Sequence, residues 1–143
     1  MTSARKRDLE NREYLMEALT GLSASGYTCY ITKKEDDGTP PAQCFSPYGY
    51  IITPSKNILS VQTDYYGGWN FTFMYLRTVA NGVGCQCFEK AVGEVNLETV
   101  QKAEYEGSSF AYRLKAERYS SLKAWLRGYW DADNLQLIGT EAA

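Results

Sequence analysis

The chain has 143 residues, a formal net charge of −2 and an aromatic content of 14 %, including twelve tyrosines. These values suit one folded domain and argue against disorder and against a global basic field that would gather nucleic acid. There is no histidine, which removes Ser-His-Asp and Cys-His catalysis, histidine metal ligands and the usual general base near neutral pH.

At this length a fold buries roughly 70% of its unfolded surface, so neither a disulfide nor a metal is required for stability. The opening MTSARKRDLENREY is charged and lacks an apolar signal core. No run approaches the roughly 18–20 apolar residues that span a bilayer. The expectation is a soluble intracellular protein.

Residues 4–24 predict a helix, with Leu15, Ala18, Leu19 and Leu22 at helical spacing and Gly26 as its stop. Arg5, Lys6 and Arg7 sit at the unfavourable positive end of its dipole and read as a solvated helix end. Residues 27–33 read as a strand, and 33–43 as a polar loop closed by two prolines.

Residues 48–77 are the stretch on which the fold is organised. Three β-branched and aromatic runs are separated by turn clusters at Pro54–Asn57 and Tyr65–Gly68, which predicts a three-stranded antiparallel meander. A four-residue first loop, 54–57, sets Ile52 opposite Leu59 and Tyr50 opposite Val61. An odd second loop sets Phe71, Phe73 and Tyr75 beside Thr63, Val61 and Leu59. The opposite face then carries Gly49, Ile51, Thr53, Ser60, Gln62, Asn70, Thr72, Met74 and Leu76, flat and uncharged.

After a Gly-rich loop, Cys85–Phe88 reads as a short strand. Asn96 is the expected N-cap of a helix from Leu97 to about residue 118, with Leu97, Val100, Ala103, Gly107, Phe110, Ala111 and Leu114 inward. Ser120 or Ser121 caps a second helix through about Trp130. Leu135–Ile138 adds an edge strand, and Gly139–Ala143 is a loose tail. The fold class is α+β: an N-terminal helix, an antiparallel sheet of four or five strands, then two C-terminal helices covering its aromatic face.

Candidate sites are sparse. Cys29, Cys44, Cys85 and Cys87 offer four thiolates, but zinc sites favour Cys-x₂₋₄-Cys pairs and this chain has only C-x-C, so reduced structural thiols are expected and no metal is assigned. A cysteine nucleophile lacks a base. Asp131-Ala132-Asp133-Asn134 opens like a calcium loop, but Gln136 stands where the glycine belongs. Gly82-Val83-Gly84 is a turn and no phosphate fingerprint.

Two binding readings follow. In the first, the uncharged sheet face (Ile51, Gln62, Thr72, Met74) and the hairpin tip (Tyr65, Tyr66, Trp69) contact a partner protein. In the second, an aromatic-lined pocket holds a small ligand or nucleotide, with Arg77, Arg113 or Arg118 on its anion. Either the flat face or an exposed edge strand could also serve a homodimer. No cofactor and no catalytic residue is assigned.

The runs Tyr50-Ile51-Ile52-Thr53-Pro54, Gly67-Gly68-Trp69-Asn70-Phe71 and Asn81-Gly82-Val83-Gly84-Cys85-Gln86-Cys87 resemble small proteins of bacteriophages, plasmids and conjugative elements of Gram-positive gut bacteria. The resemblance covers about residues 48–138 and includes Ala103-Glu104, Phe110-Ala111 and Tyr129-Trp130. Its motifs are structural and carry no catalytic residue. It implies a protein of a mobile element acting in the cytoplasm of a bacterial host. Proteins of this size there include inhibitors of host defence, among them anti-CRISPR proteins that occupy a surface of a CRISPR nuclease.

Overall fold

The computed structural model describes residues 3–33, 48–55, 57–63, 71–78, 84–108 and 134–140. The element order is α1 (Ser3–Ala24), β1 (Thr28–Thr32), β2 (Tyr48–Ile52), β3 (Ile58–Thr63), β4 (Phe71–Thr78), β5 (Gly84–Val92), α2 (Leu97–Ser108) and β6 (Leu135–Gly139). The strands form one six-stranded antiparallel sheet in the order β5-β4-β3-β2-β1-β6. The expected α+β class holds, with one strand more than the four or five anticipated. Consecutive strands pair as a meander, and the last strand returns beside the first.

Gly26 ends α1 with φ 92°, a left-handed conformation open to a residue without Cβ. The Gly26 amide donates to Ser23 O at 3.1 Å and the Tyr27 amide to Leu22 O at 3.2 Å, a Schellman closure. Its apolar counterpart is in place, because Leu22 and Tyr27 are both buried in the core. Asn96 caps α2 as expected. Its Oδ1 accepts from the Thr99 amide at 2.9 Å, and its own amide donates to Thr99 Oγ1 at 3.0 Å.

Among the described residues, the core lies between one sheet face and the helices α1 and α2. Leu15, Leu19 and Leu22 of α1 and Val100 and Ala103 of α2 meet Cys29, Ile31, Ile51, Leu59, Val61, Phe71 and Phe73 of the sheet. Phe73 is fully buried and Phe71 nearly so. Burying such a ring stabilises by roughly 1.5–3 kcal/mol. Tyr14 stacks on Phe71 at 5.1 Å, and its hydroxyl accepts from the Val95 amide at 3.1 Å, which joins α1 to the connection before α2. In α2, Val100, Ala103 and Gly107 are buried as expected, whereas Leu97 is exposed.

The register of β3 against β4 is the expected one, with Phe71 opposite Thr63, Phe73 opposite Val61 and Tyr75 opposite Leu59. The register of β2 against β3 is not. Ile51 pairs with Leu59, Tyr50 with Ser60, Gly49 with Val61 and Ile52 with Ile58, one residue away from the expected alignment. Thr53 is the cause. Its amide donates to Asn57 O at 2.9 Å and its hydroxyl accepts from the Asn57 amide at 3.1 Å, so the connection closes with an odd number of residues. Because side chains alternate, that one-residue change exchanges the two faces of β2. Gly49 and Ile51 enter the core, and Tyr48, Tyr50 and Ile52 turn to the opposite face.

That opposite face is therefore not the flat, open surface expected. Tyr30, Tyr50, Ile52, Ile58 and Ser60 lie on it and are buried. At these positions of β1, β2 and β3 the sheet is buried on both sides.

Both edge strands carry an irregularity. Tyr75 pairs with Phe88 and Leu76 with Gln86, which leaves Cys87 as an extra residue in β5. Tyr30 pairs with Leu137 and Cys29 with Gly139, which leaves Ile138 as the extra residue in β6. Bulges at sheet edges twist the free strand and discourage further pairing. The expected strand Cys85–Phe88 is longer, and the tail is partly held: Gly139 belongs to β6, and the Thr140 and Thr28 hydroxyls are hydrogen-bonded at 3.0 Å. The expected continuation of α2 to residue 118 and the helix at 120–130 lie outside the described residues.

Candidate functional site

The candidate partner-contact residues separate into three groups. Ile51 is 0 % exposed and belongs to the hydrophobic core, so it cannot meet a partner. The cause is the odd β2–β3 connection described above. Gln62 and Thr72 are direct cross-strand partners, half-buried, on the face opposite the core. Met74 follows on β4 opposite Ser60. Tyr65, Tyr66 and Trp69 lie outside the described residues.

Gln62 and Thr72 extend into a row. Tyr48 pairs with Gln62 on one side and Ala91 with Thr72 on the other. Tyr48, Gln62 and Thr72 are half-buried and Ala91 is exposed. The row crosses four strands, β2 to β5, at the end of the sheet where the β3–β4 connection departs. It contains no charge. Tyr48 is braced by an edge-on contact with Tyr50, ring centroids 5.9 Å apart. The row offers an aromatic ring, an amide and a hydroxyl, a set suited to contacts with another polar surface and containing no proton-transfer pair.

Of the arginines considered for an anion, Arg77 lies on β4, and Arg113 and Arg118 lie outside the described residues. The structure does place another arginine, one that the sequence pattern does not single out. Arg12 of α1 reaches the sheet end, where its Nη2 donates to Thr32 O at 3.0 Å and to Gln136 Oε1 at 3.3 Å. Its pKa is lowered by burial. One turn before Leu15, Asn11 continues the apolar stripe of α1 inward and is buried. The spacing Asn11, Leu15, Leu19, Leu22 was the available signal: a polar residue standing on an apolar face.

Cys29 sits in the core, where burial pushes its thiol up to about 11 against the smaller opposing effect of a hydrogen bond with Ser23. A thiol held neutral in this way is no nucleophile at neutral pH. Cys44 lies outside the described residues. Among the described residues, no helix is long and apolar enough to cross a membrane. Comparison with protein-family models, with curated proteins and with solved structures returns no match for this chain.

Proposed function

We propose that this chain is a non-catalytic protein-binding protein of a phage or other mobile element, acting in the host cytoplasm as an inhibitor of a CRISPR-type defence nuclease by covering one of its surfaces. The observation that carries this reading is the uncharged, half-exposed row Tyr48, Gln62, Thr72 and Ala91. In sequence it runs directly into the segment that bears Tyr65, Tyr66 and Trp69. Rings beside small polar groups are what protein contact surfaces use. The complete absence of histidine favours binding over chemistry. The resemblance to mobile-element proteins supplies the class of partner.

A specific contact needs about 800 Å² per partner, more than four residues supply, so Tyr65, Tyr66 and Trp69 are included in the proposed surface. The test is target cleavage by purified CRISPR nucleases of Gram-positive bacteria, with and without the chain. Inhibition is expected for at least one nuclease. Thr72→Arg and Gln62→Arg should weaken it at least tenfold while thermal unfolding stays within a few degrees of the parent. A panel in which no nuclease is bound or slowed rejects the proposal.

A further inference from the structure

We propose that the corner where α1 meets the ends of β1 and β6 is an oxyanion-binding site built on Arg12, with Asn11 as its second donor. The guanidinium is oriented by Thr32 O and Gln136 Oε1, and both of these acceptors are neutral. Arg12 Nε is buried and has no acceptor. The preceding residue, Asn11, is only 6 % exposed, and its Nδ2 is also buried without an acceptor.

Among the described residues these are the two buried side-chain donors left unsatisfied, and they are consecutive in the chain. A buried donor without a partner is costly, and in native structures such groups mark a site for water, an ion or a ligand. One of the two belongs to a cation that burial has partly stripped of water, and the two acceptors that hold it carry no charge. A neutral water would satisfy a donor but bring no charge to the guanidinium. A carboxylate or phosphate oxygen satisfies both needs, because it brings several lone pairs and a negative charge to a planar fork of donors.

The 3.3 Å bond to Gln136 is the longer of the two that hold Arg12. Its exchange for an anion oxygen frees the guanidinium edge without moving either strand. The shared ligand chemistry is an oxyanion, either a carboxylate presented by a peptide or a phosphate. This site is independent of the row of Tyr48, Gln62 and Thr72, and of the reading built on that row.

The experiment is thermal unfolding of the full chain in inorganic phosphate and, separately, in acetate, each against sodium chloride at equal ionic strength. At about ten times the dissociation constant, the preferred anion should raise the melting temperature by roughly 3 °C or more above chloride. Phosphate against acetate distinguishes the two sources. Arg12→Gln should abolish the rise. Asn11→Leu should keep the fold and weaken the anion at least tenfold. No rise above chloride with either anion overturns the site, and so does a rise that survives Arg12→Gln, which would mean an adventitious ion only. Should Arg12→Gln fail to fold, nuclear magnetic resonance on the parent chain decides the matter. The Arg12 Nε–H signal must shift and saturate with the anion, and a signal that stays fixed refutes the proposal.

Discussion

Gly49 of β2 lies directly beneath Leu19 of α1. A Cβ at position 49 would stand 2.8 Å from Leu19 Cδ1 and 2.6 Å from Tyr30 O. The absence of a side chain there is what lets α1 come down onto the sheet. Gly49→Ala should destabilise the protein by about 1–3 kcal/mol, the usual range for overpacking. The leucine can rotate away, but the carbonyl belongs to the paired strand β1 and cannot. Trimming the leucine as well, in Leu19→Ala with Gly49→Ala, should therefore fail to restore the urea midpoint. Full recovery in the double variant would show that the strand pairing is not as tight as described.

Asn96 and Thr99 cap α2 reciprocally, each side chain accepting from the other's backbone amide. Asn96→Ala should cost about 1 kcal/mol, and Thr99→Ala should act in the same direction. Because the two bonds form one unit, a double-mutant cycle in urea should give a coupling of about 0.5 kcal/mol or more. Strict additivity would mean that the two caps act separately.

The Cys29 thiol gives the fold an alkaline limit. Its ordinary value of 9.0 is raised to about 11 by burial, so the folded state favours the neutral form. The stabilisation is complete below pH 9.0, falls as pH rises through the interval to about 11, and is lost above it. The full loss is of order 2–3 kcal/mol. Urea midpoints from pH 8 upward should fall more steeply for the parent than for Cys29→Ala. The alanine variant retains every other ionisable group, so parallel curves would remove Cys29 as the cause.

Local chemistry reached far in this chain. The stop at Gly26, the cap at Asn96, the strands around Tyr50, Val61 and Phe73 and the edge strand at Leu135 all follow from neighbours a few residues apart. The β3–β4 register followed from burial, because only one alignment places Phe71, Phe73, Val61 and Leu59 on a common apolar side. The β2 register could not be reached that way. Tyr50 and Ile52 look as suited to a core as Gly49 and Ile51, so hydrophobicity does not distinguish the two faces.

Composition and spacing by themselves determined an α+β fold without histidine chemistry, the stop of α1, the cap of α2 and most of the strands, because these depend on backbone preferences within a turn or two. The tertiary structure alone decided which side of β2 meets α1. It did so because the bonds between Thr53 and Asn57 set the parity of a turn, and because only a glycine fits between Leu19 and Tyr30 O. It alone also brought Arg12 to Thr32 and Gln136, 20 and 124 residues away, a meeting that no periodicity along the chain encodes.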